Sequence, residues 1–232
     1  MDDVASIVET LRAKAKPENL AGMARYGMAV DRRLGVSIPE LRKLARRIGK
    51  DHRIALALWQ EGLAETRILA SMVGEPDRLT GETMDLWAED FDSWDVCDQV
   101  CMNLFDKSFL AWEKVREWSI RREEFVKRAA FALIACLAWH DREAEDVRFL
   151  ELLPVIEAGA EDERNYVKKA VSWALRHIGK RNAKLNAPAI ALADRLRQSD
   201  AKPARWIGSD AYRELTGEAV QRRLKTGSSR QA

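Results

Sequence analysis

Little in this chain of 232 residues would bend, staple or anchor it. Six prolines and 12 glycines exclude collagen-like and low-complexity chains. Three cysteines are too few for a disulfide scaffold and fit a reducing compartment. No apolar run approaches the roughly 20 residues of a membrane span. The start, Met1-Asp2-Asp3, lacks the basic-then-apolar order of a secretion signal. The expectation is a cytoplasmic protein with no membrane partner. Nucleotide-cradling glycine loops and nucleophile-elbow signatures are also missing. Cys97 and Cys101 stand four apart, but no His or Cys follows at ligand spacing, so neither a metal nor a cofactor is expected. His52, His140 and His177 are isolated and read as surface or capping residues.

What remains is 47% hydrophobic and 33% charged, a balance that favours helices where Gly and Pro are scarce. Apolar residues recur at helical spacing over roughly 3–14, 17–26, 38–48, 52–61, 64–73, 81–90, 93–105, 109–120, 123–139, 145–157, 163–180, 186–197, 203–214 and 217–224. Ser37-Ile38-Pro39-Glu40 reads as a capping box with Pro in the first turn, and Gly49 as the stop of that helix. No segment alternates as a strand does. Links are short, so one domain over 1–224 with a frayed tail over 225–232 is expected. The fold class is all-α. Short helices with short links fit a bundle or an α-solenoid of HEAT-like helical repeats, whose concave face serves for binding.

Net charge is only +2, but charge is blocked along the chain. Arg32 to Arg53 is basic, Leu79 to Asp106 holds no basic residue, and Asn165 to Lys184 holds no acid. Such alternation fits a body with a basic and an acidic face, or simply solvated helix faces.

Three helices depart from plain amphipathicity. In 163–180, Val167, Val171, Ala174, Leu175 and Ile178 make one stripe, while Tyr166, Lys169, Trp173, Arg176 and Lys180 make another on the far side. A large aromatic among cations fits a polyanion with exposed bases; packing against a neighbouring helix explains it equally simply. In 93–105, Trp94 and Asp98 lie one turn apart, at the edge of the stripe Cys97, Val100, Cys101 and Leu104. A carboxylate beside an indole can stabilise a developing cation, or be an ordinary solvated Asp. In 123–139, the run from Ala129 to Trp139 is apolar nearly all round, the mark of an inner helix, and Arg128 at its start must meet a phosphate or an internal carboxylate.

Taken in order, Ser93-Trp94-Asp95-Val96-Cys97-Asp98, Val126-Lys127-Arg128-Ala129-Ala130 and the run from Tyr166 to Asn182 resemble the DNA alkylation-repair glycosylases of the AlkD type. Leu34-Gly35-Val36-Ser37-Ile38-Pro39-Glu40-Leu41-Arg42 resembles the N-terminal stretch of that family, and the likeness spans roughly 20–215. It implies an α-solenoid of HEAT-like repeats with a basic concave face. The implied activity is release of cationic alkylpurines, such as 3-methyladenine and 7-methylguanine, from duplex DNA; a solenoid with its own capping helices can act as a monomer, which is the expectation here. It further implies Asp98 as the catalytic carboxylate, with Trp94 and Trp173 against the lesion-bearing backbone. Arg128 would contact DNA near the lesion, Tyr26 would be a further aromatic, and Lys169, Arg176 and Lys180 would meet phosphates. Ser93 departs from members that carry a second aromatic there. Two other readings stand beside this one: a non-catalytic binder of DNA structures, and a protein-interaction scaffold.

Overall fold

The computed structural model describes residues 3–228, which divide into two compact units with the boundary between Ala111 and Trp112. Among the described residues every regular element is a helix. The first unit holds α1 (Val4–Ala13), α2 (Leu20–Arg25), α3 (Ile38–Ile48), α4 (His52–Gln60), α5 (Ala64–Val73), α6 (Gly81–Glu89) and α7 (Trp94–Asn103). From the boundary onward come α8 (Ala111–Ser119), α9 (Glu124–His140), α10 (Asp146–Leu150), α11 (Leu153–Gly159), α12 (Asn165–Arg181), α13 (Ala183–Arg197), α14 (Lys202–Thr216) and α15 (Glu218–Ser228). No helix among the described residues is long and apolar enough to cross a membrane.

The second unit carries a repeat that residue identity hides. Arg128 of α9 bonds Tyr166 of α12, Ser172 of α12 bonds Asp210 of α14, and Arg176 bonds Glu214, each pair 38 residues apart. The outer helices keep the same step, with Glu157 of α11 meeting Arg195 of α13 across 38 residues. The same offset on successive turns of α12 and α14 means that these two helices run parallel and in register, and α9 meets α12 with offsets of the same sign at its start and its end, 38 and 43 residues, so it too runs parallel. In the first unit the step is shorter: Asn103 of α7 reaches Ser71 of α5 across 32 residues, and Glu65 reaches Gly35 across 30. Inner-helix length accounts for the difference, since α9 and α12 have 17 residues each and α5 and α7 have 10.

Packing follows from composition. From Ala129 to Ala138, α9 is buried on every side, and its five alanines let neighbouring backbones come close. Gly208 of α14 serves the same end, because a Cβ there would sit 2.5 Å from the backbone of Ala193 and Arg197 in α13. The first unit centres on Trp59 stacked on Trp87, centroids 4.0 Å apart and 4° from parallel. The indole N–H of Trp59 donates to Asp90 at 2.7 Å, so the ring is buried with its one polar group satisfied.

Several local expectations are corrected. Ser37 stands at the N-cap of α3 but its side chain makes no capping bond. Glu40 turns instead to Lys43 at 2.6 Å and Lys14 at 3.0 Å, and these two lysines hold its carboxyl down at about 2. The segment 145–157 is two helices, with Pro154 in the first turn of the second. The helix expected from 186 begins at Ala183, because Asn182 caps it by accepting from the Leu185 amide at 3.0 Å, and Pro188 is accommodated inside. The last helix runs on through Ser228, past the expected start of a tail at 225; residues 229–232 lie outside the described residues. His52 is buried, 5% exposed, and not on the surface.

Candidate functional site

Within the first unit, the start of α7 is fixed from three directions. Arg33 forks onto Asp95 with bonds of 2.7 and 2.9 Å, and its third nitrogen donates to the Ala29 carbonyl at 2.8 Å. Both partners are buried, at 4% and 12% side-chain exposure. The Ser93 hydroxyl donates to Asp95 at 2.5 Å and accepts from the Ala29 amide at 3.1 Å. The small residue that departs from the family pattern thus joins two segments 64 positions apart. The Trp94 indole N–H donates to the Tyr26 carbonyl at 3.0 Å.

This clamp leaves Trp94 and Asp98 half-buried on one face of a helix whose other face, Val96, Cys97, Val100 and Cys101, is closed to solvent. The aromatic expected at Tyr26 is 77% exposed. Its backbone, rather than its ring, is what holds Trp94.

Beneath the clamp lies a second anchor. Glu65, 1% exposed, accepts from the amides of Leu34, Gly35 and Val36 at 3.0, 2.8 and 3.2 Å. Gly35 sits at φ +79°, where a Cβ would overlap the Lys16 carbonyl, so only glycine fits. The Leu34-Gly35-Val36 part of the family-like stretch is thus a carboxylate-bound backbone turn. Of the acidic block, Asp95 likewise faces inward, to Arg33, while the exposed Asp90 meets Trp59 and Arg67 at the surface.

Within the second unit, α12 presents its two expected faces. Val167, Val171, Ala174, Leu175 and Ile178 are buried, while Tyr166, Trp173, Arg176 and Lys180 are half-buried and Lys169 is exposed. Arg176 and Lys180 are not bare cations. Lys180 reaches Glu214 at 2.6 Å, and Arg176 reaches Glu214 at 2.5 Å and Asp210 at 3.5 Å. Burial pushes the Glu214 carboxyl up, but hydrogen bonds from Lys180 and Arg176 outweigh it and the net shift is down. Part of the expected phosphate-binding stripe is therefore neutralised by α14. Lys169 keeps the exposure a phosphate contact needs.

Arg128 is 5% exposed and donates to the Tyr166 carbonyl at 2.6 Å. It ties α9 to the first turn of α12, and a phosphate would draw it away from that bond. Tyr166 also stacks on Phe125, centroids 5.5 Å apart. Trp173 meets His177 edge-on at 5.7 Å and 87°. Burial, reinforced by Lys180 and Arg176, lowers the His177 pKa to about 4, so its ring is neutral at physiological pH.

Sequence reasoning missed Arg33, Asp95, Glu65 and the Asp210–Glu214 pair. Glu65 left no clear local sign, because its helix also carries Thr66, Arg67 and Ser71. The others act across 38 or 62 residues, beyond any local pattern.

Comparison with known proteins agrees with this architecture. A solved structure from a family of proteins related to the HEAT-like repeat DNA glycosylases, with affinity for branched DNA structures, superposes with a TM-score of 0.76 at 16% identity, covering 93% of this chain and 97% of that chain. The helix pairs are thus HEAT-like repeats. No curated protein sequence matches. The family model of the DNA alkylation repair enzymes matches residues 7–215, and the chain belongs to that family.

Proposed function

We propose that the protein is a monofunctional DNA glycosylase that removes cationic N-alkylated purines from duplex DNA. The observation that carries this reading is the clamped, half-exposed pair of Trp94 and Asp98 on the one open face of α7. An alkylated purine already bears positive charge and leaves readily. The N-glycosidic bond breaks with its electron pair going to the purine, and the sugar becomes oxocarbenium-like. In the proposal Asp98 stabilises that cation and orients the water that adds to it, taking up the proton that the water gives up. The Trp94 face offers a cation–π surface to the charged sugar or base. Lys169 supplies a phosphate contact and Trp173 an aromatic one, while Arg128 positions the first turn of α12 beneath them. Contacts of this kind grip DNA without reading its sequence.

A second reading, a non-catalytic binder of DNA structures, is favoured by the solved relative with affinity for branched DNA. One experiment separates them. Free base released from methylated duplex is measured for wild type and Asp98→Asn. Release of 3-methyladenine or 7-methylguanine by wild type and its loss in the variant support the glycosylase. Release that survives in the variant removes Asp98 from the mechanism. No release by either protein, with duplex still bound, favours the second reading.

A further inference from the structure

Where α9 and α12 end, the second unit carries an open pocket of about 890 Å3, within the range that accepts small ligands. Some of its lining is already committed to the fold. Arg181 donates to the Ala138 and Ala144 carbonyls at 3.2 and 2.9 Å and so closes the end of α9. Lys180 is held by Glu214, and Asp146 by Asn182 at 2.7 Å.

Trp139 has no such structural use. It is 56% exposed although every residue from Phe131 to Ala138 before it is buried. Its indole stacks on His140 at 4.8 Å and 27° and meets His177 at 6.1 Å and 62°. His177 in turn meets Trp173, so aromatic rings run from the pocket along α12. Arg142 and Arg223 line the same pocket and are exposed, Arg223 giving one nitrogen to the Lys180 carbonyl at 2.7 Å. An open indole face beside a second ring, with two guanidinium groups at the rim, matches a flat base joined to a phosphate.

We propose that this pocket holds one unpaired nucleotide of a DNA strand, its base stacked on Trp139 and its phosphate met by Arg142 and Arg223. The open rim and the continuation of rings to Trp173 favour a strand over a free nucleotide. The proposal does not depend on base release at Asp98.

The test is fluorescence anisotropy with the full chain, comparing a labelled blunt duplex with the same duplex bearing a short dT overhang. Wild type is expected to prefer the overhang. Trp139→Ala is expected to lose that preference by about five- to hundredfold, the range that base–aromatic stacking supports. Trp139→Phe keeps most of it, which separates loss of the ring from damage to the fold. Equal binding of the two duplexes by wild type, or an unchanged preference in Trp139→Ala, overturns the proposal. Competition by thymidine monophosphate as potent as by the dT strand overturns the assignment to a strand. Methylpurine release is followed in parallel and should be the same in Trp139→Ala as in wild type. Its absence from every protein counts against the glycosylase reading and leaves the binding comparison intact.

Discussion

Replacing Asp95 by Asn tests whether the clamp at the start of α7 is an energetic anchor or a decoration. Asn keeps the size and one acceptor oxygen, and removes the charge opposite Arg33. That guanidinium, 4% exposed, loses the anion that its 2.7 and 2.9 Å bonds now meet. Water cannot replace it at that depth, and stranding one member of a buried pair costs about 3–5 kcal/mol. In a chain of this length each kcal/mol is worth roughly 2–4 °C, so Tm should fall by about 6 °C or more. Arg33→Met removes the stranded cation, so the double variant should recover part of the loss and show a coupling of about 2 kcal/mol or more. Thermal unfolding gives the first quantity, and amide exchange at the start of α7 tells local from global loosening. A Tm for Asp95→Asn within about 2 °C of wild type, or additive effects in the cycle, would refute the reasoning. Base release should also fall in Asp95→Asn, because the turn that sets Trp94 is loosened while Asp98 is untouched.

Acid should act through His177. Its folded pKa of about 4 against an ordinary 6.5 means that the unfolded chain takes up a proton first as pH falls. Stability is therefore full above pH 6.5, declines toward pH 4 by about 3 kcal/mol, and gains no further loss from this group below that. Denaturant titrations across this window should be flatter for His177→Phe, and equal slopes would contradict the assignment. Asp162, held at about 2 by Arg164 and Lys127 against the opposing effect of burial, contributes stability that goes only at still lower pH. Gly35→Ala should cost more than about 1 kcal/mol, through both its positive φ and the Lys16 carbonyl, whereas Gly22→Ala meets nothing within 4 Å and serves as the control in the same melting experiment. Lys169→Ala should reduce the salt slope of duplex binding by about one, and Lys180→Ala by less, since Glu214 already neutralises Lys180; the reverse order would show that the ion pairs on α14 open on DNA.

What could be read from the sequence was what neighbours in the chain determine. The bounds of α3 and α5 follow from periodicity and, for α3, from Gly49, whose φ of +79° ends the helix as expected. The two faces of α12 and the burial of α9 follow from the same arithmetic. Misreadings arose where a local signal had a distant competitor. Glu40 would have completed a capping box had Lys14, 26 residues away, not claimed it. The helix expected from 186 starts at Ala183, because Asn182 supplies the cap. The pairing of Arg176 and Lys180 with Glu214, 38 and 34 residues on, left no local sign either. For the candidate site, the family-like segments named Trp94, Asp98 and Trp173, while the Arg33 clamp that fixes Trp94 spans 62 residues and left no pattern to read.

The uniform step of the second unit has a consequence for how the chain assembles. Its inter-helix bonds span at most 43 residues, so no contact between these helices needs a long loop to close first. Each helix can seat on its predecessor soon after it has been synthesised, and folding can follow the chain from one end. The bonds around Trp94 are of another kind: they span 62, 64 and 68 residues and wait for the helices between them. The turn that carries Trp94 is thus among the last parts of the first unit to lock, and damage to that lock will register as slow ordering at the start of α7 before it registers as loss of helix.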